Sequence, residues 1–280
     1  MKKISKFFKF LTLTIFIFFL FLSNINAIKT NNELDKITIS YNFDIIIPDD
    51  YKTIQEGINN ANPNEIIFVR SGLYKENILI NVENLTLIGE DKTDTIIDGN
   101  KLFKKHTIEI ISENVSIKKF TIKNGWNKDE RIWDLSGIKI NASNARIIEN
   151  IITENRLGIS TMTKTYNHTI KNNIFINDGL MIGNYVYNHQ MSIHDFRHNI
   201  ENNTVNHKKL YYLCDKSNYI VPEDAGQVLL VNCTNITVKN LNLKNTDFFI
   251  SLAGCNNCNI KGNNIDNTDG ELILFFSENN

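Results

Sequence analysis

Proline is scarce in this chain of 280 residues, with three in all, and cysteine nearly so, with four. So few cysteines cannot act as a disulfide framework, so an apolar core must carry the fold. The 42% apolar content is enough to build one. An excess of either charge is also missing: 30 Lys and Arg stand against 31 Asp and Glu, a net charge of −1. That balance excludes a basic nucleic-acid binder and an acidic disordered tail. After Leu22 there is no apolar run long enough to span a membrane. What the chain has in excess is Asn, roughly one residue in six, with a similar share of Ile. AT-rich codons would explain scattered asparagines, but these are periodic.

Seven of the 17 Phe lie between Phe7 and Phe21, so part of the apolar content is local. Lys2, Lys3, Lys6 and Lys9 precede an apolar run from Phe10 to Leu22, and Ser23-Asn-Ile-Asn-Ala27 then ends in a small residue. A basic head, an apolar middle and Ala at the cleavage point describe a secretory signal peptide. The rival, a permanent anchor, needs ~18–20 apolar residues. The chain therefore divides into a signal peptide (1–27), a linker (28–42) and a domain (43–280). The expected location is extracellular or at the cell surface, with no transmembrane span in the mature chain. Export permits disulfides among Cys214, Cys233, Cys255 and Cys258. Cys255-x-x-Cys258 has no partner pair and is weak evidence for a metal or redox motif.

The asparagines mark a repeat. Asn84-Leu-Thr-Leu87, Asn114-Val-Ser-Ile117, Asn144-Ala-Arg-Ile147, Asn167-His-Thr-Ile170, Asn235-Ile-Thr-Val238 and Asn257-Cys-Asn-Ile260 align, with a degenerate copy at Arg197-His-Asn-Ile200. The leading positions are 30, 30, 23, 30, 38 and 22 residues apart. The unit is thus 22–23 residues, and longer gaps hold insertions. Between asparagines the apolar residues alternate, as strands require, in segments too short for helices. Asn tolerates left-handed backbone and suits tight corners. Strand, corner and strand at this period, with Ile stacked on Ile, make an all-β, single-stranded, right-handed parallel β-helix. Corner asparagines are expected to stack into ladders whose amides bond coil to coil. The Leu-rich consensus of the rival horseshoe repeat is absent. At the start, Phe43–Pro48 reads as a strand, and Thr53-Ile-Gln-Glu56 is a capping box opening a short helix with Ile54 and Ile58 on one face. That helix would cover the open end of the first coil.

Tyr51-Lys-Thr-Ile-Gln-Glu-Gly-Ile-Asn-Asn-Ala61, Ile66-Ile-Phe-Val69, Gly72-Leu-Tyr-Lys-Glu-Asn77 and Leu85-Thr-Leu-Ile-Gly89 resemble the start of secreted right-handed β-helix proteins. These include the NosD-like, "periplasmic copper-binding" family and the carbohydrate-binding and sugar-hydrolase β-helix domains. Val205–Tyr212 and Val221–Thr234 are similar to archaeal NosD-like surface proteins often described as adhesin-like. The resemblance covers residues 43–280. It implies an exported cell-surface β-helix with glycans as partners, no cofactor and no nucleic acid.

Catalytic patterns of β-helix enzymes can be tested directly. Clustered Asp with His and Arg-x-Lys, as polygalacturonase chemistry needs, is not found. The pectin-esterase pattern of Gln and two Asp around a Gly-rich strand is likewise not found. Lyase chemistry needs a Ca²⁺-binding acidic cluster with an Arg base, for which Asp129, Glu130, Arg131 and Asp134 are the candidates. The reading is accordingly non-catalytic, adhesin-like or glycan-binding, with a polysaccharide lyase or hydrolase as the alternative. Copper handling is a second alternative, on His189, Met191, His194 and His198, with His207 nearby. Their spacing fixes no geometry, and the family name alone is an analogy.

Two insertions carry the aromatic residues that suit sugar faces. Residues 125–135 hold Trp126 and Trp133 beside the same charged cluster. Residues 207–224 hold Tyr211, Tyr212 and Tyr219, for which a small hairpin whose rings cover the coil side is the preferred reading over sugar contacts. If both insertions leave from one corner, three coils apart, they wall a short cleft. Sequons at Asn84, Asn114, Asn141, Asn167, Asn202, Asn232 and Asn235 permit glycans in an exported chain. Cys233 and Cys255 each stand two residues before their leading Asn, so they should stack one coil apart, within reach of a disulfide. Asn279 stands where another coil would begin. The expectation is a β-helix without a C-terminal cap, stacked end to end or continued in a longer polypeptide.

Overall fold

The computed structural model describes residues 42–101, 105–125, 135–184, 191–246, 248–266 and 270–280. Three parallel sheets form the walls of a β-helix. The first holds Ile45–Ile47, Ile66–Val69, Thr86–Gly89, Ser116–Lys118, Arg146–Ile148, Thr169–Lys171 and Asn199–Glu201. The second begins with Gly72–Lys75, Thr95–Asp98, Thr121–Lys123, Ile151–Thr153, Ile174–Ile176 and Thr204–Val205. The third holds Ile78–Ile80, Ile108–Ile110, Ser136–Ile140, Leu157–Met162 and Leu180–Asn184.

Register turns the repeat into columns of buried side chains. In the first sheet Ile67, Leu87, Ile117, Ile147, Ile170 and Ile200 stack. In the third, Ile78, Ile108, Ile138, Ile159 and Leu180 do the same. All but Ile78 and Ile200 are fully buried, and those two nearly so. Each such side chain contributes roughly 1.5–3 kcal/mol.

The corners are left-handed, as the Asn repeat requires. Asn84, Asn114, Asn144 and Asn167 have φ of 59, 61, 64 and 61° and lead from the third sheet to the first. Lys119, Glu149, Asn172 and Asn202 do so between the first and second. Beside that second corner runs a buried ladder. Asn150 donates from Nδ2 to Asn173 Oδ1 at 3.2 Å, and Asn173 likewise to Asn203 at 3.0 Å. Each oxygen also accepts a main-chain N–H from the preceding coil, those of Phe120, Asn150 and Asn173. Each amide nitrogen donates to a carbonyl, of Ile117, Ile147 and Ile170. These buried amides are satisfied, which is what makes polar side chains tolerable there.

The helix Ile54–Asn60 covers the first coil. Thr53 and Glu56 form the capping box, and Ile54 and Ile58 are fully buried. The Glu76 carboxylate accepts the N–H groups of Ile54 and Gln55, both at 3.0 Å.

The structure differs from the sequence reading at residues 207–224, which are not an insertion. Thr204–Val205 pairs antiparallel with Lys208–Cys214 across Asn206 and His207, whose φ values are 50 and 65°. Two left-handed central residues define a tight hairpin. The second sheet therefore continues in the opposite direction, through Lys208–Cys214, Ala225–Val231, Phe248–Ala253 and Gly270–Phe275, mutually parallel. With Ser217–Ile220, Thr234–Lys239 and Asn259–Lys261, and with Asn242–Lys244 and Asn264–Asp266, these strands build a second helical section.

Its shared sheet is buried on both faces. Leu229 and Val231 point into the first core, while Val228 and Leu230 point into a second core with Phe249, Ile236 and Leu243. The hairpin thus folds the second section over the end of the first. In the last described strand Leu272 and Leu274 are 42% and 49% exposed. No helix among the described residues is long and apolar enough to cross a membrane.

Candidate functional site

Near the end of the first section the regular corner breaks down. By register Arg197 occupies the place held one coil earlier by left-handed Asn167, since Thr169 pairs with Asn199. Arg197 is not left-handed; it closes a short 3₁₀ turn, Ile193–Phe196. The buried Asp195 carboxylate fixes that turn, accepting Ser192 N–H at 2.7 Å and Lys164 N–H at 2.8 Å. Phe196 anchors it, fully buried with its ring 4.9 Å from that of Phe275.

Arg197 turns its guanidinium to Asp215, donating through two nitrogens at 2.7 and 2.6 Å. Asn232 adds a third hydrogen bond to Asp215. The Arg197 bonds first, and then Asn232, hold the Asp215 carboxyl down to about 2. Opposite stands Tyr166, 41% exposed, with its N–H on Ser143 Oγ at 3.1 Å. Asn167 beside it donates to Asn144 Oδ1 at 3.0 Å.

Tyr166, Asn167, Ser192, His194 and Arg197 line an open cleft of about 380 Å³. Its size falls within the usual range of small-ligand sites. It offers one exposed aromatic ring with an amide, a hydroxyl, an imidazole and a guanidinium around it. That set can stack on an apolar sugar face and bond hydroxyl or carboxylate oxygens.

Behind the cleft two buried imidazoles stack, His168 and His198, with centroids 4.6 Å apart and planes at 41°. His168 Nδ1 accepts the Ala145 N–H at 3.3 Å, so Nε2 carries the proton and donates to Thr165 Oγ1 at 2.9 Å. Burial, and then the neighbouring His198, push His168 down to about 3. Burial pushes His198 down to about 4, against the opposing pull of Asp195. Both nitrogens of the His198 ring are buried and lack a close hydrogen-bond partner among the described residues. Its main-chain N–H donates to Tyr212 Oη, which donates in turn to Phe196 O.

The sequence candidates fall in different places. Trp126, Asp129, Glu130, Arg131, Trp133, Asp134 and His189 lie outside the described residues. Tyr211 and Tyr212, offered by the sequence as glycan contacts or, preferably, as rings of a hairpin covering the coil side, sit on opposite faces of the strand Lys208–Cys214. Tyr211 enters the second core, 8% exposed, and its hydroxyl donates to Asp224 at 3.1 Å. Burial and that carboxylate push it up to about 12. Tyr212 packs on the first core, and burial raises it too. Neither ring lines the cleft, because a strand inside a two-sided sheet presents both its faces to packed side chains.

Of the copper candidates, Met191 packs on the first core, His194 faces the cleft and His198 is enclosed behind it. Among the described residues no group of three or more His, Cys, Asp or Glu converges to hold a metal ion. Tyr166, Asn167, Ser192 and Arg197 are not among the site candidates read from the sequence, where Asn167 and Arg197 figure only in the repeat and Asn167 as a sequon. The one sign of them was the degenerate repeat, where Arg197 replaces Asn.

No family model matches the chain. Over 84 residues it is 31% identical to "Pectinesterase 2" of Citrus sinensis, a match taking in 26% of this chain and 16% of that one. Similar solved structures include a pectin methylesterase from carrot, with a TM-score of 0.43 and 12% identity, covering 86% of this chain and 84% of that one. A pectin methylesterase from Yersinia enterocolitica gives 0.40 and 12%, covering 79% and 90%. An alginate lyase from Paenibacillus gives 0.34 and 10%, covering 80% and 95%.

Proposed function

We propose that this protein is an exported, cell-surface β-helix that binds glycans without turning them over, in an adhesin-like role, and that the Tyr166–Arg197 cleft is one binding site. The carrying observation is the cleft itself. An exposed Tyr lines the cleft together with Asn167, Ser192, His194 and Arg197, whose guanidinium is fixed by its carboxylate partner Asp215. Neutral or acidic sugars fit this chemistry, the ring taking the apolar face and Arg197 the oxygens. Trp126 and Trp133 with their charged neighbours remain a second proposed contact. The export signal read at residues 1–27 supports the location.

A polysaccharide-acting enzyme is the second reading, favoured by the stretch shared with "Pectinesterase 2". One set of measurements separates the two. The full chain is applied to an array of plant, algal and microbial glycans, and the same preparation is assayed for methanol release from methylated pectin and for reducing-end release. Binding with no release supports the proposal, and Tyr166→Ala should then weaken it at least tenfold. Turnover of any substrate establishes the enzyme instead. Binding that Tyr166→Ala and Arg197→Ala both leave intact moves the site elsewhere.

A further inference from the structure

Three of the four cysteines meet in the second section. Val231 pairs with Ala253 and Thr234 with Asn256, which sets Cys233 against Cys255 on adjacent coils. The Asn256 N–H donates to Cys233 O at 2.9 Å and fixes that register. Adjacent strands lie ~4.8 Å apart, inside the Cα separation a disulfide accepts. Cys258 follows across a left-handed turn at Asn257. All three pack in the second core, where their thiols donate to main-chain carbonyls, Cys233 to Leu213 O, Cys255 to Ala253 O and Cys258 to Asn256 O. The three are almost completely buried. Cys214 stands apart, on the face turned to the first core and bonded to Asp215.

We infer that Cys233, Cys255 and Cys258 form a thiol–disulfide exchange site in which Cys255 is the shared partner, closing a disulfide to Cys233 or, when Cys233 is unavailable, to Cys258. The first bond staples two coils together; the second is a local loop within one coil. Exchange between them keeps one thiol free to reopen the other bond. The neighbouring Cys255 thiol lowers Cys233 from the ordinary thiol range, and Cys233, then burial, raise Cys255, a direction that favours Cys233 as the first nucleophile.

The oxidant is a small disulfide such as oxidised glutathione. The Cys233 thiolate attacks one of its sulfurs and releases one thiolate. The Cys255 thiolate then attacks the Cys233 sulfur of the mixed disulfide and releases the second. Two cysteine thiols give up two protons and two electrons, and the oxidant leaves as two thiols. Residues 277–280 cover the site, Ser277 Oγ accepting the Cys255 N–H at 3.0 Å and Asn280 Oδ1 the Cys258 N–H at 2.8 Å.

The test uses the reduced full chain, equilibrated under native conditions with oxidised glutathione, then alkylated, denatured and mapped by peptide mass spectrometry. The wild type should fall from four free thiols to two, with Cys233 linked to Cys255. Cys233→Ser should move the link to Cys255–Cys258, and Cys255→Ser should keep all three remaining thiols. Four free thiols in the oxidised wild type would overturn the inference, as would any link to Cys214 or a Cys233–Cys258 link in Cys255→Ser. Three free thiols in folded, oxidised Cys233→Ser would likewise overturn it; should that variant fail to fold, a minor Cys255–Cys258 peptide in the wild-type map at intermediate oxidant is required instead, and its absence overturns the exchange.

Discussion

Gln227 and Leu180 are joined as two strands would be. Leu180 N–H donates to Gln227 Oε1 at 3.0 Å, and Gln227 Nε2 donates to Leu180 O at 2.8 Å, across 47 residues of sequence. Leu180 begins the last strand of the third sheet, which has no further strand of that sheet beside it among the described residues. One side-chain amide, placed by the second section, satisfies the edge that a further strand would otherwise pair. Thr246 assists by donating to Asp178 O at 3.2 Å.

Gln227→Leu should therefore destabilise the whole first section rather than a local loop. It strands a buried N–H and a buried C=O, costing about 2–4 kcal/mol in urea-induced unfolding. Amide exchange at Leu180 should accelerate with it. Unchanged exchange there would show that the amide is dispensable.

The Asn ladder gives a contrast between buried and exposed members of one residue type. Asn173→Ala removes bonds to Asn150, Asn203 and Ile147 and should cost about 3 kcal/mol. Asn167→Ala, on the exposed corner, should cost about 1 kcal/mol or less, chiefly through its left-handed backbone. Equal losses in chemical denaturation would contradict a ladder that acts through burial.

The hairpin turn at Asn206 and His207 uses left-handed backbone at both residues, which Gly adopts at still lower steric cost than His. His207→Gly should raise stability by about 1 kcal/mol. A thermal scan of the two proteins tests this, and a lowered midpoint would contradict it.

The stacked histidines make stability depend on pH. Both titrate far lower in the folded chain, at about 3 for His168 and about 4 for His198, than the 6.5 of a free imidazole. Between those values the unfolded chain binds more protons, so stability rises with pH. Their contribution is complete above about pH 6.5 and is lost as pH falls toward 4 and then 3, on the order of 2 kcal/mol for each by pH 5. Asp215, held down to about 2, contributes above about pH 4 and is lost only below that. Urea midpoints at pH 7.5, 6 and 5 should fall for the wild type and stay nearly level for a His168→Gln, His198→Leu double variant. A parallel fall in both would assign the effect to other groups.

The repeat of Asn and Ile was enough to state the strands, the left-handed corners and the ladder, because each coil satisfies local rules of spacing and backbone sign. The Thr53–Glu56 cap was legible for the same reason, since its donors and acceptors lie within four residues. The reversal was not legible. Asn206-His207 lacks the glycine that usually announces such a turn, and the 38-residue gap looked like an inserted loop. The sequence also aligned Cys233 with Cys255 by counting, but Cys258 joins them only because a folded corner carries it back to the same thiol. The cleft needed tertiary structure altogether. Tyr166 and Arg197 are a full coil apart, and Arg197 faces the cleft because Asp215, carried back by the reversed section, holds its guanidinium in place. Local rules act within one turn of the chain, whereas this site depends on which coils the hairpin brings back against one another.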